Sequence, residues 1–222
     1  MLVFYSREAD KAQQIQRFCQ ENNIELLTQR LISFEAVPFL LKDKSADVIF
    51  FTSPRSFDFF GAQEFIQNAQ EIACIGIGTK NHIESLGFHV SFFGRDATNP
   101  DEVAAAFKSW LGTRKVLFPI SNISNRSMQR VLAEEQYQEI VVYNTVSKSV
   151  ELESKPDILI FSSPSNAAAF LEKNIIHPHQ KVACFGTTTQ RFLAARKIEA
   201  TVLTSADEAG VIAYLGNACR IY

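Results

Sequence analysis

Apolar residues fall in short unbroken runs of four to six, each ending in Ser, Thr, Pro or Gly and followed by a stretch with helical spacing. The runs predict strands at 1–5, 25–29, 46–52, 72–75, 88–93, 115–119, 138–143, 157–162, 181–185 and 199–203. Helices are predicted at 8–21, 55–69, 79–86, 100–110, 124–135, 165–173, 188–196 and 206–217. Asp47–Phe51 and Asp157–Phe161 are apolar without alternation, which suits parallel strands covered on both faces. Strand and helix alternate throughout, which predicts an α/β fold of doubly wound parallel sheets.

The chain also repeats itself. Asp47-Val-Ile-Phe-Phe-Thr-Ser-Pro54 matches Asp157-Ile-Leu-Ile-Phe-Ser-Ser-Pro164, and Ile72-Ala-Cys-Ile-Gly-Ile-Gly-Thr79 matches Val182-Ala-Cys-Phe-Gly-Thr-Thr-Thr189, both at an offset of 110. One duplicated domain explains a constant offset better than chance does. Segment 46–143 holds five strands, whereas 157–222 holds three, and 1–30 supplies the missing two. We therefore expect a discontinuous domain of 1–33 plus 149–222 and an inserted domain of 38–143. Crossings at 34–37 and 144–148 would form a two-stranded hinge, with a cleft between the domains.

Composition narrows the function. With 46% hydrophobic, 21% charged and 11% aromatic residues, the chain can bury substantial cores. A net charge of −2 gives no reason to expect a nucleic-acid partner. No apolar run approaches the roughly 20 residues that span a bilayer. The start, Met1 to Glu8, lacks a basic region followed by a long apolar one. Cys19, Cys74, Cys184 and Cys219 form no CxxC and read as small buried hydrophobes in a reducing compartment. These features predict a cytoplasmic protein that meets neither nucleic acid nor membrane.

Ligands of open parallel sheets bind beyond the carboxyl ends of the strands. Those ends read Tyr5-Ser6-Arg7, Thr52-Ser53-Pro54-Arg55-Ser56, Gly76-Ile77-Gly78-Thr79, Ser121-Asn122, Ser162-Ser163-Pro164-Ser165-Asn166 and Gly186-Thr187-Thr188-Thr189. Small hydroxyl residues at helix starts either cap the helix or leave backbone N–H groups for an anion. Six such ends point to a ligand with several carboxylates or phosphates, held more by neutral donors than by cations. Gly76-Ile-Gly-Thr-Lys-Asn81 lacks the third Gly of a dinucleotide loop, and its copy at Gly186 lacks the second as well. His177-Pro-His179 has no Cys or carboxylate at ligand spacing, so no metal is assigned.

Three features resemble the uroporphyrinogen-III synthase family. They are the paired Phe-Thr/Ser-Ser-Pro segments at 51–54 and 161–164, the paired Gly-x-x-Thr turns at 76–79 and 186–189, and Phe118-Pro119 through Arg126 leading to Val141-Val-Tyr143-Asn-Thr145. Ser205-Ala-Asp-Glu-Ala-Gly-Val211 also looks like the family's last helix entry. Thr187, Lys197 and Ser121 stand where Pro, Gly and Gly or Arg are usual. The resemblance implies two flavodoxin-like domains and a cofactor-free lyase that closes linear hydroxymethylbilane to uroporphyrinogen III. Ring D is inverted through a spiro intermediate, and water is released. It also implies roles for particular residues. Tyr143 would protonate the departing hydroxyl, against the plainer reading of a packing aromatic beside the hinge. Ser53, Arg55, Ser56, Thr79, Ser163, Ser165, Asn166, Thr188 and Thr189 would hold substrate carboxylates, with Arg7 and Arg126 as charge partners. Ser121 and Asn122, at another strand end, join them as binding candidates. A monomer suffices for this reaction, and hydroxymethylbilane synthase is the expected donor of substrate. A non-catalytic two-lobed protein binding a small polycarboxylate is the competing reading.

Overall fold

The computed structural model describes residues 1–41, 43–64, 70–95 and 99–219, the side chain of Cys219 excepted. The chain begins with β1 (Leu2–Tyr5), a 3-10 turn at Ala9–Lys11, α1 (Gln13–Glu21), β2 (Glu25–Thr28) and β3 (Ile32–Ala36). It continues through β4 (Val48–Phe51), α2 (Pro54–Gly61), β5 (Glu71–Cys74), α3 (Ile77–Ser85), β6 (Phe92–Phe93) and α4 (Pro100–Leu111). Then come β7 (Val116–Ser121), two 3-10 turns at Gln129–Val131 and Glu134–Gln136, and β8 (Tyr137–Ser147). The last elements are β9 (Ile158–Phe161), α5 (Pro164–Leu171), β10 (Lys181–Cys184), α6 (Gly186–Ala194), β11 (Thr201–Val202) and α7 (Glu208–Cys219).

These elements form two compact units. Unit 1 is Met1–Ser33 with Val146–Tyr222, and unit 2 is Phe34–Thr145, so the boundaries fall inside β3 and β8. Unit 1 carries a sheet ordered β11-β10-β9-β1-β2, parallel throughout. The second sheet is ordered β3-β8-β7-β4-β5-β6, and from β8 to β6 every pairing is parallel.

Unit 2 shows how an unbroken apolar run serves two cores. Side chains alternate across a strand. In β4, Val48 and Phe50 join Ala73, Val103, Phe107 and Phe118 on one face, while Ile49 and Phe51 join Phe57, Cys74 and Ile83 on the other. In unit 1, Val3, Tyr5, Ile158, Ile160 and Ala183 bury one face against Ile15 and Cys19 of α1 and Val211 and Leu215 of α7. On the other face Phe4, Phe161 and Phe170 meet with ring centroids 5.3–6.3 Å apart.

Several boundaries differ from the sequence expectations. No α-helix forms over 124–135; the segment makes a turn and two 3-10 turns instead. The run that leads into it, Ser121-Asn-Ile-Ser-Asn-Arg126, is rich in side chains that compete for backbone groups, and Arg126 adopts a left-handed φ of 52°. Strands predicted over 88–93 and 199–203 shorten to the two-residue β6 and β11, edge strands with a neighbour on one side only. Short edges limit edge-to-edge pairing with other chains. The helix predicted over 55–69 ends at Gly61, and 65–69 lie outside the described residues. The helix predicted from residue 8 starts at Gln13, after the 3-10 turn. β3 occupies part of what the sequence suggested was a bare crossing.

Cys19, Cys74 and Cys184 are buried thiols, none of them in a disulfide. The Cys74 and Cys184 thiols point back at the carbonyl oxygens of Gly76 and Gly186, respectively. Burial pushes both thiols up to about 11, far above the ordinary value, so neither is a nucleophile at neutral pH. Alkylation of native protein at pH 7.5 should therefore leave Cys74 and Cys184 unmodified, and denaturant should expose both, as peptide mass mapping would show. Both folded values are raised, so their contribution to stability is intact below the ordinary thiol range. It should fall as pH rises from about 9 towards 11.

Candidate functional site

Parallel strands bring all their carboxyl ends to one edge of each sheet, and the candidate residues gather there. In unit 1 the edge carries Arg7 after β1, Ser163, Ser165 and Asn166 after β9, and Thr188 and Thr189 after β10. In unit 2 it carries Ser53, Arg55 and Ser56 after β4, Thr79 after β5, and Ser121 and Asn122 at the end of β7. Tyr143 of β8 stands opposite Ser121.

The repeated Ser-Pro segments make the same helix start twice. Ser53 Oγ accepts the Ser56 N–H at 3.1 Å, and the Ser53 N–H is returned to Ser56 Oγ at 3.2 Å, with Pro54 in the first turn. Ser163 Oγ accepts the Asn166 N–H at 3.2 Å and its side-chain amide at 3.0 Å, with Pro164 in the same place. Proline there has no N–H to lose and a backbone angle already set for a helix. Ser165 Oγ lies 3.0 Å from Ser163 Oγ. Ser56 and Thr189 are almost wholly buried, at 0% and 1% exposed. The Ser56 hydroxyl donates to the Ser53 carbonyl, and that of Thr189 to the Phe185 carbonyl. These two hydroxyls shape their turns from inside. Thr79 is buried as well, while Thr188 is exposed. Asn166 keeps its side-chain carbonyl oxygen buried and unpaired.

Tyr143 owes its setting to an irregular ladder. Ile120 pairs with Val141 but Ser121 pairs with Tyr143, so Val142 is an extra residue in β8. A bulge of this kind re-aims the side chains that follow it. Val142 and Tyr143, though consecutive, both enter the same core. The Tyr143 ring stacks on Phe59 at 5.1 Å and 18° and meets Phe34 edge-on at 5.9 Å. On Phe34 lies the Arg55 guanidinium, 3.4 Å from the ring centroid. Asn122 locks the end of β8 by accepting the Thr145 N–H at 2.8 Å, while its own N–H donates to the Tyr143 carbonyl at 3.3 Å. The surrounding Phe34 and Phe59 were absent from the sequence candidates. A period-two reading of 32–36 as a strand would have flagged Phe34.

Arg126 stands apart from this group. Its Nε donates to both carboxylate oxygens of Glu139, at 2.9 and 3.1 Å, in a partly exposed pair. Glu139 lies two residues from both Tyr137 and Val141 and so shares their face, which packs on the opposite core from Tyr143. The charge expected to meet substrate is thus already paired, across the sheet from the phenol. Arg7 lies over the Phe185 ring at 4.8 Å. His177 and His179 stack ring on ring, 5.7 Å apart. Among the described residues no helix is long and apolar enough to cross a membrane.

Comparison with known proteins adds to this picture. The model of the family described as uroporphyrinogen-III synthase HemD matches residues 15–213. Among solved structures, the chain is similar to the uroporphyrinogen-III synthetase of Helicobacter pylori, with 19% identity, a TM-score of 0.67 and 98% of each chain covered. It is also similar to a mutant uroporphyrinogen III synthase of the extreme thermophile Thermus thermophilus, with 11% identity, a TM-score of 0.69 and all of each chain covered. At these identities the two structures bear on the fold alone. No curated protein sequence matches the chain.

Proposed function

Since the chain belongs to the uroporphyrinogen-III synthase family, we propose that Tyr143 is its general acid and that the strand-end loops of each unit hold the carboxylates of the substrate. The enzyme cyclises hydroxymethylbilane to uroporphyrinogen III. Loss of the terminal hydroxyl as water gives an azafulvene. The substituted carbon of ring D attacks it to form a spiro intermediate, which fragments and recloses with ring D reversed. Free substrate closes without reversal, so the catalyst's main task is to select the attacking carbon by holding the chain in one conformation.

The observation that carries the Tyr143 assignment is the bulge at Val142. It sets Tyr143 opposite Ser121, the last residue of β7, with its ring packed against Phe59 and Phe34, so the phenol oxygen is held in one place. The departing hydroxyl takes that proton and leaves as water. The phenolate recovers a proton when ring D regains aromaticity. At the strand ends of unit 2 the Ser53 hydroxyl supplies a neutral donor and Arg55 a charge; at those of unit 1 the hydroxyls of Ser163, Ser165 and Thr188 supply donors and Arg7 a charge. A spread of such donors suits a flexible polycarboxylate better than one strong clamp. We further propose that the chain acts as a cytoplasmic monomer. It would take its substrate directly from hydroxymethylbilane synthase, since prompt transfer forestalls the unreversed closure.

The decisive assay incubates the protein with hydroxymethylbilane and resolves the type III from the type I product. Type III in excess of the spontaneous type I supports the reading; type I alone refutes it. Single hydroxyl changes should act mildly. Thr188→Ala should raise KM by the equivalent of about 0.5–1.5 kcal/mol without lowering Tm, because the side chain is exposed. Ser53→Ala should also cost about 1 kcal/mol of stability, since it removes a helix cap. Steady-state kinetics and thermal melts on both variants test the contrast.

A further inference from the structure

Tyr5, at the carboxyl end of β1, is fully buried; its phenol oxygen lies within reach of the Arg7 side chain but makes no well-formed hydrogen bond, and its O–H has no acceptor. An unpaired buried polar atom is rare in native proteins and requires a reason. The internal repeat shows that packing does not supply one. Tyr5 stands opposite Ile160 in the ladder, and Ile160 follows Phe50 by 110 residues. The Phe50 ring meets that of Phe118 at 5.5 Å. Phe118 therefore fills in unit 2 the place Tyr5 fills in unit 1, equally buried and without a hydroxyl.

The surroundings of the hydroxyl suggest its use. The Arg7 N–H donates to the Tyr5 carbonyl at 2.8 Å, which turns the chain back on itself. The Arg7 guanidinium then rests 4.8 Å over the Phe185 ring, itself 6.2 Å from the ring of Tyr5. A guanidinium lying on an aromatic face directs its N–H groups sideways, in its own plane. Burial pushes the Tyr5 phenol up and outweighs the opposing influence of Arg7, so the group keeps its proton and is a donor. The nearby carboxylates already have work: Glu208 accepts the N–H groups of Gln14 and Ile15, and Asp207 accepts from Ser205 and Gly210.

We propose that Tyr5 and Arg7 form a two-donor seat for one carboxylate of the substrate, the guanidinium taking the charge and the phenol the second oxygen. The seat rests on the function proposed above and adds Tyr5 to the residues that bind hydroxymethylbilane. A carboxylate reaching the guanidinium edge draws Arg7 aside and uncovers the phenol O–H.

The test measures kcat, KM and Tm for wild type, Tyr5→Phe, Arg7→Gln and the double variant, with product isomers resolved. Tyr5→Phe should raise KM about tenfold, as expected for a hydrogen bond to a charged group. Its kcat should stay within about twofold, and its Tm should be unchanged or higher, since an unpaired hydroxyl is removed. The double variant should exceed Arg7→Gln in KM by no more than about twofold, because the seat is already broken. An unchanged KM for Tyr5→Phe, a rise in KM with a lowered Tm, or fully additive losses would each overturn the seat. A wild-type chain that forms no type III product would overturn the functional reading, and the seat with it. Active wild type with an indifferent Tyr5→Phe would overturn the seat alone.

Discussion

Tyr143→Phe should lower kcat at least about 100-fold, the lower end of what general-acid assistance supplies, with KM and Tm close to wild type. The ring is what packs on Phe59 and Phe34, and Phe retains it, so a loss of turnover without a loss of stability isolates the hydroxyl. Stopped-flow measurement of azafulvene formation beside steady-state turnover would locate the step. Full turnover in Tyr143→Phe would return Tyr143 to a packing role and leave hydroxyl departure to the substrate's own groups. The product ratio is informative too. A slowed but faithful enzyme still makes type III, whereas a misfolded one lets free substrate close to type I.

The second large effect concerns stability. Phe50→Ala should destabilise unit 2 by about 3–5 kcal/mol, the usual range for truncating a buried aromatic in a close-packed core. Phe50 is fully buried, with its ring 4.5 Å from Phe107 and 5.5 Å from Phe118. These rings join α4 to β4 and β7, and β7 positions Ser121 opposite Tyr143. Urea unfolding followed by far-UV circular dichroism would give the size of the loss. A change under about 1 kcal/mol would mean that the core collapses into the space the ring leaves.

The sequence was most legible where one residue run determines its own surroundings. Val48–Phe51 and Ile158–Phe161 are apolar at every position, and only a strand covered on both faces satisfies that. The Ser-Pro pairs at 53–54 and 163–164 announce helix starts because cap chemistry is local. β3 was obscure, and β6 and β11 were read too long, for the opposite reason: an edge strand depends on what its single neighbour offers. The bulge at Val142 was hidden because it arises from the mismatch of two strands, which neither contains alone. For the candidate site, residue types and strand-end positions could be read from the chain. Which hydroxyls turn inward, as at Ser56 and Thr189, could not, since that depends on packing around the turn. Likewise, the pairing of Arg126 with Glu139 joins a loop to a strand, a contact set by tertiary structure.

The division of the chain also has a consequence for synthesis. Unit 2 is one continuous stretch, Phe34–Thr145, so a ribosome delivers every strand it needs before β9 is made. Unit 1 cannot close so early. β1 and β2 precede unit 2 in the chain and pair with each other, yet two strands are marginal on their own in water. Their partner β9 is clamped to the start of the chain by the bond from the Leu2 N–H to the Asp157 carboxylate, across 155 residues. Until β9 emerges, the free side of β1 presents unpaired backbone groups to solvent and to any neighbouring nascent chain. The N-terminal segment is therefore the natural client for a chaperone that holds extended apolar chain, and a pause in translation after residue 145 would prolong that exposure without disturbing unit 2.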